Sequence, residues 1–324
     1  MALLEIDDLA VAFGPPHAPV TVVDGVSFSV DARETVALVG ESGSGKSVTA
    51  LAIMRLLQEP GRVTRGAIRF EGRDLARLDE RSLSRVRGDR IAMIFQEPMS
   101  SLNPLLSIGA HVAEPLRLHR GLSRRDARAR ATALLDRVGI PSAARRFDDY
   151  PHRMSGGMRQ RVMIAAALAC EPALLIADEP TTALDVTIQA QIMDLLADLQ
   201  AEFGMGILFI THDLGVVAEQ AHRVVVMYAG RVVERARTAR LFAAAAHPYS
   251  AALLRCVADE DAGPNARLAV IEGTVPAPTA LPAGCRFASR CPHAIEACRA
   301  AEPPLLALGP GHVAACIRPL EQAA

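Results

Sequence analysis

One short segment constrains the fold of this chain more than any other. The apolar run Thr35–Val39 predicts a buried strand, and Val48–Leu57 predicts a helix. The residues between them have the spacing G-x-x-x-x-G-K-S, which is typical of a P-loop, whose backbone N–H groups and lysine bind nucleotide phosphates. Because the following helix directs its positive end at the same anion, strand, loop and helix together predict a nucleotide site. Its expected binding residues are Gly40, Glu41, Ser42, Gly43, Ser44, Gly45, Lys46, Ser47 and Val48.

Composition narrows the class of protein. Lys46 is the only lysine among 35 basic residues, and it stands where a compact ammonium cannot be exchanged for a planar guanidinium. The net charge of −1 gives no basic field that would favour nucleic acid. The longest apolar stretch, Val162–Cys170, is too short to span a membrane, and the acidic N-terminus is unlike a signal peptide. We therefore expect a cytoplasmic protein whose six cysteines form no structural disulfides.

Further motifs follow the P-loop in a set order. In chain order they are strand-like Ile91–Phe95 ending at Gln96, helix-opening Met154–Gln160, apolar Leu174–Glu179 with Ala183-Leu184-Asp185 after it, and strand-like Ile207–Thr211 ending at His212. Together with the P-loop, these motifs resemble the nucleotide-binding subunits of ABC transporters over about residues 3–235. The signature sequence here is Met-Ser-Gly-Gly-Met rather than the family's Leu-Ser-Gly-Gly-Gln, so Met158 cannot supply the usual amide.

The resemblance implies an α/β P-loop NTPase core with an inserted helical subdomain and a cysteine-containing, loop-rich C-terminal extension. We place the ABC ATPase domain at residues 1–237, its helical subdomain at about 97–160, and the extension at 238–324. The arginines of Leu122–Val138 could suggest nucleic acid, but acidic residues interrupt them and no aromatic platform accompanies them. A solvated helix face is the favoured interpretation. In the family, this subdomain receives a coupling helix of the membrane subunit.

The resemblance also assigns roles in ATP hydrolysis with Mg²⁺. Ser47, Gln96 and Asp178 are expected to hold the metal, and Glu179 to polarise the attacking water. His212 is expected to contact the γ-phosphate, and Phe13 to stack on adenine. Plainer interpretations stay open: Asp178 and Glu179 as a solvated turn, His212 as a structural histidine, and Phe13 as a core residue.

A second helix N-terminus suited to phosphate lies at Ser155, Gly156 and Gly157. By resemblance to the family, these residues reach the ATP held by a partner subunit's P-loop. The complete site would then exist only in a head-to-tail dimer that ATP closes and hydrolysis opens.

Three segments resemble one branch, the ATPase subunits of bacterial dipeptide and oligopeptide importers. They are Glu97–Pro104, His247–Ser250 and Cys285–Cys316. The resemblance implies a peripheral subunit at the cytoplasmic face of the membrane. Its partners would be a second ATPase subunit, which could be a paralogue or a copy of itself, two membrane permeases and, indirectly, a solute-binding protein, with no nucleic acid. Nickel importers share much of the pattern, and a soluble ABC ATPase acting on DNA or ribosomes is the alternative of a different class.

Cysteines are concentrated in the C-terminal extension, at Cys285, Cys291, Cys298 and Cys316. Clustered thiols in a segment poor in apolar pattern suggest a metal that stabilises it. The C-x2-4-C pairs usual for zinc are absent, and the ferredoxin spacings do not match either. Similar importer ATPases hold a 4Fe–4S cluster in this region, so we expect such a cluster, with zinc or unligated thiols as alternatives.

Overall fold

The structure is a computed structural model that describes residues 2–96, 101–181, 185–256 and 270–320. The chain forms two compact units. The P-loop unit comprises Leu4–Ser29, Thr35–Ala76 and Ile210–Ala324, and the helix-rich unit comprises Met1–Leu3, Val30–Glu34 and Arg77–Phe209. No helix among the described residues is both long and apolar enough to cross a membrane.

The P-loop unit contains an antiparallel sheet built from four strands in the order β2-β1-β4-β5. Residues 4–7 of β1 alternate between buried and exposed, so one face of the sheet packs on the core there, whereas residues 9–12 are all buried. The strands are β1 Leu4–Phe13, β2 Val20–Val30, β4 Arg62–Phe70 and β5 Arg73–Asp74.

A second set of strands in this unit places the P-loop. β3, Thr35–Val39, is buried at all five positions and pairs in parallel with β9, Arg223–Tyr228. A continuous apolar run suits a strand covered on both faces. β9 pairs with β10, Arg231–Arg237, and the order continues through β12, His312–Ala314, to β11, Leu306–Gly309. The unit's helices are α1 Lys46–Ile53, α8 Leu214–Gln220, α9 Thr238–Ala244, α10 Pro248–Arg255 and α11 Glu296–Ala300.

The helix-rich unit has two parallel strands, β6 Ile91–Ile94 and β7 Leu174–Asp178. The next strand in the order is β8, Gly206–Thr211, most of which belongs to this unit. Most of its helices begin at polar residues whose side chains accept a backbone N–H three residues on, which satisfies a donor that the helix leaves unpaired. Ser123, Ser155 and Asp185 all act in this way. The helices are α2 Glu80–Val86, α3 Ile108–Arg120, α4 Arg124–Arg137, α5 Ala143–Arg146, α6 Gly156–Leu168 and α7 Val186–Phe203.

The structure differs from the sequence-based expectations at two places. The helix expected over Val48–Leu57 runs from Lys46 to Ile53. The extension, expected to be loop-rich, contributes β12, which pairs with β10, and β11, which pairs with β12. β11 is mostly exposed and β12 has only three residues, so neither has the alternation that marks a strand in sequence.

A buried carboxylate attaches the extension to β10. Glu234 is fully buried, and its oxygens accept the backbone N–H groups of Ala246 and His247, each at 2.8 Å. Nε2 of His312, on β12, lies 2.8 Å from the same carboxylate. Burial lowers the pKa of His247 to about 4, so this ring is neutral at physiological pH.

Replacing Glu234 should therefore be costly. Glu234→Ala leaves two buried N–H donors and His312 without their acceptor, so we expect the unfolding free energy to fall by about 3 kcal/mol. Denaturant titration of the full chain measures this loss. Glu5→Ala, which removes an exposed pair with Arg69, is the control and should change stability by less than about 1 kcal/mol. Equal losses in the two variants would contradict the role of Glu234.

Candidate functional site

The loop between β3 and α1 has the conformation that phosphate binding requires. Gly40, Gly43 and Gly45 have φ angles of 152°, 79° and 100°, which side chains disfavour. A Cβ on Gly40 would lie 2.2 Å from the carbonyl oxygen of Met227, so no larger residue fits there. Ser42 and Gly43 are exposed at the tip of the loop. The loop thus presents its backbone to solvent.

Lys46 lies inside this loop as the first residue of α1. It is buried, and its Nζ donates to the carbonyls of Gly40 at 2.7 Å and Glu41 at 3.0 Å, with Ser44 Oγ at 3.4 Å. The ammonium is therefore held at the mouth of the loop by acceptors that an anion can replace. No acidic residue occupies the first turn of α1, so the positive end of the helix is not neutralised locally. Ser47 and Val48 follow in the same turn and are half-buried.

The P-loop is held from outside by residues to which the sequence analysis assigned no role in the site. The backbone N–H of Glu41 donates to Tyr249 Oη at 2.8 Å, and its carboxylate accepts from Arg290 at 3.0 Å. The N–H of Gly230 donates to the Ser44 carbonyl at 2.9 Å. Tyr249 and Arg290 lie in segments typical of the importer branch, but no motif gives their role at the P-loop, because both contacts join residues far apart in the chain.

Two further predicted residues lie in the P-loop unit. Phe13 ends β1 and is half-buried, and a Cβ on Gly61 would come within 2.6 Å of its ring. His212 is exposed directly after β8. Next to it, Asp213 caps α8 by accepting the N–H groups of Gly215 and Val216, which fixes the turn that carries the histidine.

The helix-rich unit brings the predicted catalytic carboxylate, Glu179, beside the predicted metal ligand Gln96. Asp178 is buried at the end of β7, and Glu179 follows it with a φ of 45°, a strained value for a residue with a side chain. Gln96, exposed two residues after β6, donates from Nε2 to Glu179 Oε2 at 3.0 Å. The strained backbone and the amide together fix the direction of this carboxylate.

The signature residues form the N-terminus of α6. Ser155 Oγ accepts the N–H of Met158 at 3.3 Å, while Ser155 and Gly156 are exposed. A Cβ on Gly157 would lie 3.0 Å from the Ile188 side chain, a contact tighter than usual. These residues line an open surface pocket of about 640 Å³ that also includes Arg161, a cation that the motif analysis missed.

Two motif segments lie outside the described residues. They are Glu97–Ser100, at the start of the segment typical of the importer branch, and Thr182–Leu184, which holds the predicted Ala183-Leu184. Asp185, the last residue of that motif, is described and accepts the N–H of Ile188 at 2.9 Å as the cap of α7.

The four cysteines of the extension line one small cavity of about 20 Å³, beside Phe287. All four are free thiols. Burial raises the pKa of Cys285 to about 11 and also raises the pKa values of Cys291 and Cys316. In the described part of the chain, however, no three His, Cys, Asp or Glu side chains are placed to hold a metal ion. The geometry therefore does not support the expected iron–sulfur site.

Family models match two parts of the chain. Residues 23–182 match the ABC transporter model. Residues 233–298 match the model of the oligopeptide/dipeptide transporter C-terminal region. The two matches cover the P-loop, the signature and the first three cysteines of the extension.

Individual proteins match over nearly the whole chain. The dipeptide transport ATP-binding protein of Escherichia coli is 51% identical and covers 100% of this chain and 98% of its own length. The oligopeptide transport ATP-binding protein of Bacillus subtilis is 51% identical and covers 97% and 96%. A solved dimeric ATP-binding cassette, bound to ADP and Pi after hydrolysis, is 30% identical with a TM-score of 0.65, covering 72% of this chain and 98% of its own.

These matches and the P-loop geometry agree on a P-loop fold and on ATP hydrolysis. The chain belongs to the ATP-binding subunits of ABC transporters, in the branch that carries the oligopeptide/dipeptide transporter C-terminal region.

Proposed function

We propose that this ATPase powers the import of di- or oligopeptides through separate membrane permease subunits. The observation that carries the proposal is the match to dipeptide and oligopeptide transport ATP-binding proteins along nearly the full chain, extension included. The ATPase would lie peripherally at the cytoplasmic face of the membrane. A solute-binding protein would deliver the cargo, and nucleic acid has no part.

In this proposal the P-loop unit binds the nucleotide. Backbone N–H groups from Gly43 to Ser47 and the Nζ of Lys46 bind the phosphates, and the carbonyls of Gly40 and Glu41 release the ammonium as the anion arrives. Phe13 stacks on the adenine. His212 contacts the γ-phosphate from its turn before α8.

The residues proposed for Mg²⁺ offer the ligands that it prefers. Ser47, Gln96 and Asp178 supply hydroxyl, amide and carboxylate oxygens. The ion would neutralise phosphate charge when bound. Glu179 polarises the attacking water, and the hydrogen bond from Gln96 holds its carboxylate in place beforehand.

Completion of the site requires a second subunit. Ser155, Gly156 and Gly157 would bind the γ-phosphate of ATP in the partner's P-loop. The exposed N-terminus of α6 supports this role, because its N–H groups lie at an open surface pocket. The partner would be a paralogue or a second copy of the chain.

The domain boundaries expected from sequence, 1–237 with a helical subdomain at about 97–160 and an extension at 238–324, stay a prediction. The subdomain would receive the permease's coupling helix. Its helices α3 and α4 belong to the helix-rich unit. Arg128 and Arg130 pair with Asp148 and Glu171, as expected of a solvated helix face.

The competing functions differ in partner and cargo. We expect the chain to co-purify with membrane permeases, and the reconstituted complex to hydrolyse ATP faster when peptide-loaded binding protein is added. Stimulation by nickel-loaded binding protein instead would favour a nickel importer. Co-purification with ribosomes or DNA, without permeases, would refute the transport proposal.

Glu179→Gln tests the catalytic assignment. The amide keeps the shape of the side chain but cannot polarise water, so we expect ATP affinity within about twofold of the unmodified protein and hydrolysis reduced about a hundredfold or more. ATP should then hold the two subunits together, which size-exclusion chromatography with Mg-ATP measures. Glu171→Gln, at an exposed ion pair before β7, is the matched control and should hydrolyse normally. Free subunit exchange by Glu179→Gln in excess ATP would contradict the model.

The metal in the extension stays a prediction. Thiols suit a 4Fe–4S cluster chemically, and Cys285, Cys291, Cys298 and Cys316 line one cavity. Their placement does not by itself form a metal site, so no step of the proposed function runs through a cluster.

Anaerobic purification tests this prediction. The cluster predicted from sequence requires iron, acid-labile sulfide and a brown chromophore in the full chain, all lost in Cys298→Ser. Cys170→Ser, at a buried cysteine outside the cavity, should retain them. Colourless, iron-free protein would leave unligated thiols or, if zinc is found, a zinc site.

A further inference from the structure

Glu41, the second residue of the P-loop, has every polar group engaged. Its N–H donates to Tyr249 Oη at 2.8 Å. Its carbonyl accepts from Lys46 Nζ at 3.0 Å and from the Ser44 N–H at 3.2 Å. Both carboxylate oxygens lie 3.0 Å from Nη1 of Arg290. One residue therefore joins the P-loop lysine to two side chains from beyond the expected ATPase domain.

Arg290 is held in place beside Glu41 by burial and by further hydrogen bonds. Its side chain is only 4% exposed, and its other guanidinium nitrogens are also fixed. Nε donates to the Glu272 carbonyl at 2.8 Å and Nη2 to the Ile271 carbonyl at 3.0 Å. Nη1 lies 3.3 Å from Tyr228 Oη as well.

An aromatic cluster holds the second contact. The rings of Tyr228, Tyr249 and Phe287 pack with centroids 4.6 to 5.3 Å apart. Tyr249 is fully buried, and burial raises its pKa, so its hydroxyl stays protonated. The position of this hydroxyl under the Glu41 N–H is thus set by packing.

The charge of Glu41 explains why such support matters. Its carboxylate stands next to the loop that must bind a polyphosphate, and like charges repel more strongly where water is partly excluded. Arg290 neutralises that carboxylate. The backbone of Glu41 also sets the place of Lys46, because the Glu41 carbonyl is one of the acceptors of its ammonium.

We propose that Arg290 and Tyr249 are positioning residues for ATP binding: through Glu41, the C-terminal extension holds the P-loop in its phosphate-binding conformation and sets the affinity for nucleotide. The proposal requires an ATP-binding P-loop but no particular cargo. Its failure and the failure of the peptide-import proposal are therefore separate outcomes.

The extension provides a matched control. Arg286 lies four residues before Arg290 and is similarly buried, at 9% exposure. It donates to Asp24 at 2.6 Å and to the Ala229 carbonyl at 2.6 Å, and it pairs with Glu302, but none of these contacts involves Glu41. Loss of Arg286 should weaken attachment of the extension without exposing the charge of Glu41.

Nucleotide binding to the full chain, measured by isothermal titration calorimetry, tests the proposal. We expect Arg290→Ala to weaken ATP binding about tenfold, and Arg286→Ala to weaken it less than about twofold at a similar loss of stability. In the ATPase assay, Arg290→Ala should raise KM by about the same factor, with a much smaller change in kcat. Adding Glu41→Gln to Arg290→Ala should restore most of the affinity, because the unpaired charge is gone.

Two results would overturn the proposal. One is an equal loss of affinity in Arg290→Ala and Arg286→Ala, which would reduce Arg290 to a general attachment of the extension. The other is a double variant that binds ATP no better than Arg290→Ala. If Arg290→Ala does not fold, Arg290→Lys and Tyr249→Phe provide the test. Each should weaken binding by a smaller factor, and unchanged affinity in both would equally refute the role.

Discussion

A loop that binds phosphate through its own backbone N–H groups has few groups left to stabilise its own conformation. It therefore depends on hydrogen bonds from neighbouring residues. Gly40, Gly43 and Gly45 adopt conformations that cost conformational entropy and offer no side chains for packing. Support therefore comes from neighbours. The Gly230 N–H holds the Ser44 carbonyl, and Tyr249 and Arg290 hold Glu41. The extension is thus part of the machinery that shapes the nucleotide site.

Carboxylates attach the extension together with the aromatic cluster of Tyr228, Tyr249 and Phe287. Glu234 binds His312, Asp24 binds Arg286, and Glu41 binds Arg290. Burial opposes ionisation of Asp24, yet hydrogen bonds from Arg231 and the charge of Arg286 hold its pKa below the usual value. Each pair leaves a costly unpaired group if broken, so together they fix one position of a segment that is rich in Pro, Gly and Ala.

Sequence was informative wherever one short segment holds the whole pattern. The apolar run ending at Asp178 predicted strand β7, and Ser155 before two glycines predicted a helix N-terminus. The sequence was uninformative where the role of a residue depends on a partner far away in the chain. Tyr249, which accepts a hydrogen bond from the Glu41 N–H, is 208 residues away from it in sequence, and Arg290 is 249 residues away from the Glu41 carboxylate. β11 and β12 likewise owe their strand form to the edge of β10 rather than to an apolar pattern of their own.

Lys46, the chain's single lysine, and Arg290 both contact Glu41, and the acceptors around each explain why one is a lysine and the other an arginine. Inside the loop, Lys46 presents a point charge to acceptors on Gly40, Glu41 and Ser44, a space that a planar guanidinium would not fit. Outside the loop, Arg290 contacts a carboxylate and two backbone carbonyls through three separate nitrogens, Nη1, Nε and Nη2, whereas a lysine has only one nitrogen. Glu41 lies between them, accepting from the lysine through its carbonyl and from the arginine through its carboxylate. The carbonyl of Glu41 thus suits a single ammonium inside the loop, and its carboxylate suits a guanidinium outside it.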